Sequence, residues 1–95
     1  MQIDKTPRYI RSVKKIIKSH KLTQNEIDEV ENIFETNPYN PSLHFKPIVC
    51  KKDKYRYSIR VPNSQYRILV TLLDDIAYLV VLVNHIDYDK NNKDC

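Results

Sequence analysis

Two arginines of the chain are predicted to face each other across a β-hairpin. The stretches on either side of Pro62 alternate apolar and polar side chains, and turn-forming residues 62–65 separate them. With that loop, Arg60 lies directly opposite Arg67. Like charges in this position destabilise a sheet, whereas a planar guanidinium suits the oxygens of a phosphate. The pair therefore predicts a phosphodiester clamp, unless each arginine is neutralised by a carboxylate of the second helix or of the C-terminal tail.

Two histidines and a tyrosine are candidates for proton transfer beside such a clamp. His44 lies on the polar alternation of one predicted strand, and His85 follows the most apolar strand. Histidine titrates near neutral pH, so it can exchange a proton with a 2′-hydroxyl or with a leaving 5′-oxygen. Tyr88 can stack on a base or donate to a phosphate. The alternative is that these are ordinary surface or packing residues, as we expect for His20 on the apolar stripe of the first helix.

This set of side chains has the chemistry to cleave RNA without a metal ion. The 2′-hydroxyl attacks the adjacent phosphate, a base removes its proton, and cations stabilise the pentacoordinate transition state. No carboxylate cluster or Cys/His spacing in the sequence suggests a metal nuclease, so we expect neither a metal nor an organic cofactor. Five further basic residues are candidates for RNA binding: Lys46, Lys51, Lys52, Lys54 and Arg56.

The composition limits the other functions open to the protein. The chain has 95 residues, a formal charge of +4 and no glycine. Gly-rich phosphate loops and Rossmann fingerprints need backbone positions that only glycine tolerates, which excludes the common nucleotide-cofactor enzymes. The longest apolar run, residues 76–83, is far shorter than the ~20 residues of a membrane span. We expect Cys50 and Cys95 to be unpaired thiols of a cytoplasmic protein.

Charge is banded along the chain. The formal charge is +6 over residues 1–22, −5 over 23–41, +6 over 42–73 and −3 over 74–95. Two basic bands indicate an anionic partner if they meet in the folded chain. Otherwise they are two solvated faces that the acidic bands neutralise.

Two helices are predicted in the first forty residues. Thr6-Pro7 is a helix start, and Thr23 with Glu26 forms a second start of the capping-box type. An apolar stripe at helical spacing follows each start, over residues 7–20 and then up to Asn37-Pro38. The short connection predicts an antiparallel helical hairpin.

Beyond Ser42 the apolar residues recur with a period of two, which predicts strands. We expect them over residues 43–50, 55–61, 66–72 and 76–83, with a short additional strand before Thr6. The predicted fold class is α+β, with the N-terminal helical hairpin packed on one face of a mainly antiparallel sheet of four to five strands. The chain reads as a single domain, 1–95, with a polar tail from about residue 89 that we expect to fray.

Several stretches, in their order and spacing, are similar to one known family. They are TPRYIRSVKK at 6–15, NP at 37–38, SLHFK at 42–46, YSIRV at 57–61 followed by YRILV at 66–70, and NH at 84–85. Together they resemble the RelE/ParE superfamily of toxins from bacterial and archaeal toxin–antitoxin modules, and the YafQ-like branch in particular. The resemblance extends from about Asp4 to Lys90.

This resemblance implies a curved sheet, cleavage of mRNA on the ribosome to leave a 2′,3′-cyclic phosphate, and a cognate antitoxin wrapped over the toxin. Arg60 and Arg67 match arginines that the family places near phosphate. His85 looks like the terminal catalytic histidine of the YafQ-like branch, His44 resembles a histidine of that branch, and Tyr88 stands near a family aromatic.

The expected function is thus that of a type II toxin acting as a metal-independent endoribonuclease in the cytoplasm. Its expected partners are mRNA, the ribosome and an antitoxin, with no membrane. Ile86 stands where many relatives carry arginine, and the ParE branch has the same fold but inhibits DNA gyrase. A ParE-like gyrase inhibitor and a catalytically weak nucleic-acid-binding protein are therefore the alternatives.

Overall fold

A five-stranded mixed sheet carries two helices on one face, as seen in a computed structural model that describes residues 1–84. The elements in chain order are β1 Gln2–Lys5, α1 Pro7–Lys18, α2 Gln24–Thr36, a 3₁₀ turn Pro41–Leu43, β2 Lys46–Pro47, β3 Arg56–Arg60, β4 Tyr66–Leu73 and β5 Ile76–Asn84. The strand order is β1-β5-β4-β3-β2, in which β1 is parallel to β5 and the other neighbours are antiparallel. The predicted α+β class, the helical hairpin and the short first strand are confirmed.

Both helices begin where the sequence predicted. The Thr6 hydroxyl accepts a hydrogen bond from the Tyr9 N–H at 3.1 Å. Thr23 and Glu26 form the reciprocal capping box, in which the Glu26 N–H donates to the Thr23 hydroxyl and the Thr23 N–H donates to the Glu26 carboxylate. These side chains satisfy backbone donors that have no partner within the first helical turn, so the starts are encoded locally.

The end of α1 uses a left-handed histidine where glycine is usual. His20 has φ 60°, its N–H donates to the Ile17 carbonyl at 3.0 Å, and the Lys21 N–H donates to the Ile16 carbonyl at 3.3 Å, which is the Schellman arrangement. His20 is exposed. The expectation that it packs against the apolar stripe is wrong, because α1 ends at Lys18 and His20 lies beyond its last helical residue.

A buried polar cluster joins both helices to β1. The Tyr9 hydroxyl donates to the Glu31 carboxylate at 2.7 Å, and the Lys5 ammonium lies 3.0 Å from the other oxygen of the same carboxylate. Burial, and then the bond to Glu31, raise the pKa of Tyr9 well above its ordinary value. Tyr9 therefore stays neutral and supplies a hydrogen bond that the buried Glu31 carboxylate needs.

The start of α1 also holds β5 beyond the end of β1. The Thr6 N–H donates to the Leu79 carbonyl at 3.1 Å, and the Leu82 N–H donates to the Ser12 hydroxyl at 2.9 Å. Strand β5 also shifts register against β4 between Leu69 and Val70. Hydrogen bonds from Thr6 and Ser12 thus hold the part of β5 that extends beyond its pairing with β1.

The strand predicted over residues 43–50 is much shorter than expected. Lys46–Pro47 pairs with β3, and the Ile48 N–H adds one bond to the Arg56 carbonyl at 3.0 Å. Residues 41–43 form a 3₁₀ turn that Asn40 caps, and His44 ends that turn in a left-handed conformation with φ 49°, so the extended chain begins only after His44. Val49, which the alternation assigned to the core, is 92% exposed.

The expectation of unpaired thiols is wrong for Cys50. Cys50 is disulfide-bonded, and no cysteine among residues 1–84 is free. Cys95 lies outside the described residues. Separately, no helix within residues 1–84 combines the length and apolar character needed to cross a membrane.

Candidate functional site

The β3–β4 hairpin has the register predicted from the sequence, with Arg60 opposite Arg67. Its loop turns without glycine because Asn63 adopts φ 61°, a conformation that asparagine tolerates better than most residues. The Ser64 hydroxyl donates to the Val61 carbonyl at 2.7 Å and accepts from the Tyr66 N–H at 3.1 Å. This loop fixes the register, and the register sets the two guanidiniums on the same face of the sheet.

That face, the outer face, is the side of the sheet away from the helices. Ile59 and Ile68 point into the core with the helices, so their neighbours Arg60 and Arg67 point outward. Arg60 is exposed and Arg67 is half-buried, and both line a cleft at the hairpin end. Within residues 1–84 no carboxylate forms an ion pair with either arginine, so the second helix does not neutralise them.

Arg56, at the other end of β3, is held by a carboxylate. It is only 9% exposed, and its Nε lies 3.6 Å from the Asp53 carboxylate. The same carboxylate accepts from the Thr71 hydroxyl at 2.7 Å and from the Tyr55 N–H at 2.8 Å. Burial opposes ionisation of Asp53, but the bonds from Thr71, Tyr55 and Arg56 together lower its pKa below the ordinary value.

Asp53 is the residue of this region whose role sequence reasoning missed. Its carboxylate links the loop between β2 and β3 to Arg56 of β3 and to Thr71 of β4. The register gave a signal, because Arg56 pairs with Thr71 and a carboxylate three residues before Arg56 can reach both. Arg56, predicted to bind RNA, is thus enclosed by protein groups, which distinguishes it from Arg60.

His44 and Lys46 lie at the β2 edge of the sheet. Lys46 pairs with Ser58, and Ser58 is on the outer face between Arg56 and Arg60. His44 precedes Lys46 by two residues, on the side toward Arg60, and is exposed like Lys46. The left-handed conformation of His44 ends the 3₁₀ turn, so that turn fixes the position of the imidazole-bearing residue.

The remaining predicted lysines are on the loop between β2 and β3. Lys51, Lys52 and Lys54 are all exposed, and the Lys54 ammonium lies 5.2 Å from the centre of the Tyr55 ring. Asp53 anchors this loop to the sheet, so the lysines add positive charge at the Arg56 end of β3.

His85 and Tyr88 lie outside the described residues. The described part of β5 ends with Val83 paired to Arg67 and Asn84 paired to Tyr66. The end of β5 therefore lies beside the arginine pair. Among residues 1–84, no group of three or more His, Cys, Asp or Glu side chains is arranged to hold a metal ion.

No protein-family model matches the sequence, and no curated protein matches it. Solved structures share its fold. The DinJ–YafQ toxin–antitoxin complex from E. coli is 18% identical with a TM-score of 0.72, covering 90% of this chain and 93% of that one. A metal-bound toxin from Helicobacter pylori is 13% identical with a TM-score of 0.71, covering 92% and 97%.

A third similar structure is the RelB–RelE antitoxin–toxin complex from Methanococcus jannaschii. It is 15% identical with a TM-score of 0.56 and covers 95% of this chain and 98% of that one. The protein therefore has the fold of the RelE/YafQ-type toxins along nearly its whole length. The fold that the sequence resemblance implied is confirmed.

Proposed function

We propose that the protein is the toxin of a type II toxin–antitoxin module and acts as an endoribonuclease on mRNA. The observation that carries the proposal is the arginine pair on the outer face. Arg60 and Arg67 face each other with no carboxylate partner among residues 1–84, an arrangement that destabilises a sheet unless an anion lies between them. The proteins that share its fold include toxins crystallised with antitoxins, which supports the same role here.

In the proposed reaction the 2′-oxygen of one nucleotide attacks its own 3′-phosphate. The new 2′-O–P bond forms as the P–5′-O bond to the next nucleotide breaks, leaving a 2′,3′-cyclic phosphate and a free 5′-hydroxyl. One group takes the 2′-hydroxyl proton and another gives a proton to the departing 5′-oxygen. Arg60 and Arg67 bind the phosphate oxygens and stabilise the charge that develops in the transition state. No metal or cofactor is needed for these steps.

The proton-transfer roles are assigned to His44 and His85, with Tyr88 contacting a base or a phosphate. His44 is supported by its place on the β2 edge, on the side of Lys46 toward Arg60. His85 is supported by the sequence, since it directly follows Asn84, the strand residue paired with Tyr66 beside the arginines. Lys46, Lys51, Lys52 and Lys54 would bind flanking phosphates, and Arg56 would act mainly by positioning the loop that carries three of them.

The proposed substrate is mRNA at the ribosome in the cytoplasm, and a cognate antitoxin neutralises the protein by covering its basic face. An acidic or amphipathic antitoxin segment fits the positive charge of the outer face. An antitoxin complex that leaves Arg60 and Arg67 exposed would contradict this mode of neutralisation.

Induced expression with mapping of RNA 5′ ends tests the activity. We expect the wild-type chain to arrest translation and to produce cuts within codons, and His85→Ala to grow normally. Undiminished toxicity of both His85→Ala and Arg60→Ala would refute the proposed site. Intact mRNA together with DNA-damage signalling and altered supercoiling would instead establish a ParE-like gyrase inhibitor. Unimpaired growth on wild-type expression without an antitoxin would indicate a catalytically weak protein.

A further inference from the structure

A row of aromatic rings follows the β2 side of the sheet. The Phe45 ring is centred 5.2 Å from Phe34, 5.1 Å from Tyr57 and 5.8 Å from Tyr39. Tyr55 lies two residues before Tyr57 and therefore on the same side of β3. We call Tyr39, Phe45, Tyr57 and Tyr55 the aromatic edge. Its inner end is fixed to the core, because Phe34 is fully buried.

The outer members of this row are unusually open to solvent for large rings. Tyr39 is 78% exposed and Tyr55 is 46% exposed. Tyr39 is nevertheless held in place, because the Asn40 N–H donates to the Asn37 carbonyl at 3.0 Å across the turn that contains it. The Asn40 side chain then accepts from the Ser42 N–H at 3.0 Å. The ring is thus presented on a rigid turn, so little conformational entropy is lost when a ligand orders it.

The Tyr55 end of the row carries positive charge. The Lys54 ammonium lies 5.2 Å from the centre of the Tyr55 ring, and Lys51 and Lys52 of the same loop are exposed. No acidic residue occurs between Glu35 and Asp53 in the sequence.

The row lies on the helix side of the sheet, because Tyr57 and Phe45 pack against the core with Ile59. Arg60 is on the outer face, so the edge strand β2 separates the row from the arginine pair.

We propose that the aromatic edge binds unpaired RNA bases by stacking, with Tyr39 as its main contact. The inference rests on the proposed function and adds a base-binding subsite across the β2 edge from the phosphate clamp. Exposed aromatics on a basic surface are the usual means of holding single-stranded nucleic acid. This surface fits a protein partner less well, because an interface hot spot needs surrounding contacts that exclude water. The exposed residues within three positions of Tyr39 in the chain are mostly polar: Thr36, Asn37 and Ser42, with Pro41 as the exception.

The test is equilibrium binding of a single-stranded RNA of about 12 nucleotides, within the usual range for such surfaces. Methylation of every 2′-hydroxyl removes the nucleophile, so binding is measured without cleavage. We expect Tyr39→Ala to weaken binding about tenfold, equivalent to about 1.4 kcal/mol, while Tyr39→Phe keeps most of the affinity. Leu73→Ala, which removes a 44% exposed apolar side chain from the end of β4, serves as the matched control and should bind normally.

Two further measurements separate stacking from charge. The chain has no tryptophan, so Tyr39→Trp introduces the only indole, and its fluorescence should be quenched as RNA is added. Tyr39→Ala should leave the salt dependence of binding unchanged, whereas Arg60→Ala should lower its slope, since only the arginine contacts phosphate.

The outcomes distinguish this inference from the proposed function. RNA affinity that depends on Arg60 but not on Tyr39 overturns the inference alone, as does a change in self-association of Tyr39→Ala with unaltered RNA affinity. Tyr39-dependent binding by a chain that does not cut natural RNA supports the inference and contradicts only the catalytic proposal. A wild-type chain that does not bind the RNA overturns both.

Discussion

The arginines at the two ends of β3 have opposite surroundings. Arg56 and Arg60 lie four residues apart on the same face of one strand. Arg56 is 9% exposed and lies against Asp53, whereas Arg60 is exposed and faces Arg67 with no carboxylate partner within residues 1–84. A protein that needed only a stable sheet would have neutralised both ends. The contrast indicates an architectural role for Arg56 and supports the proposed binding role of Arg60, and it can be tested from both sides.

The largest effect is expected from loss of the exposed arginine. Arg60→Ala should lower the rate of RNA cleavage about 10²- to 10³-fold, in the range for removing one donor that stabilises transition-state charge. Arg60→Lys should recover only part of it, because an ammonium lacks the planar fork. Single-turnover cleavage of an RNA oligonucleotide measures this, with exposed Lys18 of α1 mutated to alanine as the control. If Arg60→Ala cleaves the RNA as fast as the wild type, the proposed catalytic role of Arg60 is wrong.

A substitution at the buried end of β3 should instead change the stability of the protein. Asp53→Ala removes the carboxylate that accepts from Thr71 and lies against Arg56, and we expect a loss of about 1–3 kcal/mol in the free energy of unfolding. Chemical denaturation measures it. Lys51→Ala, an exposed change in the same loop, should be neutral. If Asp53→Ala is as stable as wild type, the loop is not anchored as described.

The pH dependence of stability should carry the signature of Asp53. Its folded-state pKa is below the ordinary value, so its contribution is present above the unfolded-state pKa and is lost as the pH falls through the folded-state pKa. Wild-type stability should therefore decline on acidification below about pH 5, more steeply than that of Asp53→Asn. Parallel curves for the two proteins in a thermal-melting series would contradict the ion pair.

The smallest expected effect is a gain. Arg67→Thr removes the repulsion across the hairpin and places a good strand former opposite Arg60, so unfolding should require roughly 0.2–1 kcal/mol more. The same variant should lose RNA cleavage. If Arg67→Thr is more stable than the wild type but cleaves RNA more slowly, the arginine pair lowers the stability of the fold and is retained for activity. Lower stability would mean that the two guanidiniums are already compensated in the free protein.

Local features of the fold were predictable because they depend on neighbouring residues. The capping threonines and the 62–65 loop each act within a few positions, and the Arg60–Arg67 register follows from that loop length alone. The β4–β5 turn is similar, because Asp74 and Asp75 both adopt positive φ angles in a two-residue hairpin that usually selects Asn-Gly. Aspartate substitutes for glycine there because its short polar side chain tolerates the left-handed region.

Other features depended on contacts between distant residues. A period of two over 43–50 did not reveal that only Lys46–Pro47 would form a strand, since the Asn40 cap and the left-handed His44 interrupt the extended chain before it. The exposure of Tyr39 and the burial of Arg56 were equally hidden, because each depends on what packs against it from another element.

By itself, the sequence determined the elements, the hairpin register and the types of side chain available for phosphate chemistry in a chain without glycine. These follow from propensity, capping and turn length, which act over a few bonds. Only the tertiary structure decided which arginines of the outer face pair with a carboxylate of residues 1–84. The Asp53 carboxylate reaches Arg56 and not Arg60 because the loop after β2 folds back over one end of the outer face. At the other end of the outer face, Arg60 and Arg67 form no ion pair with a carboxylate of residues 1–84, which is why anion binding is proposed there.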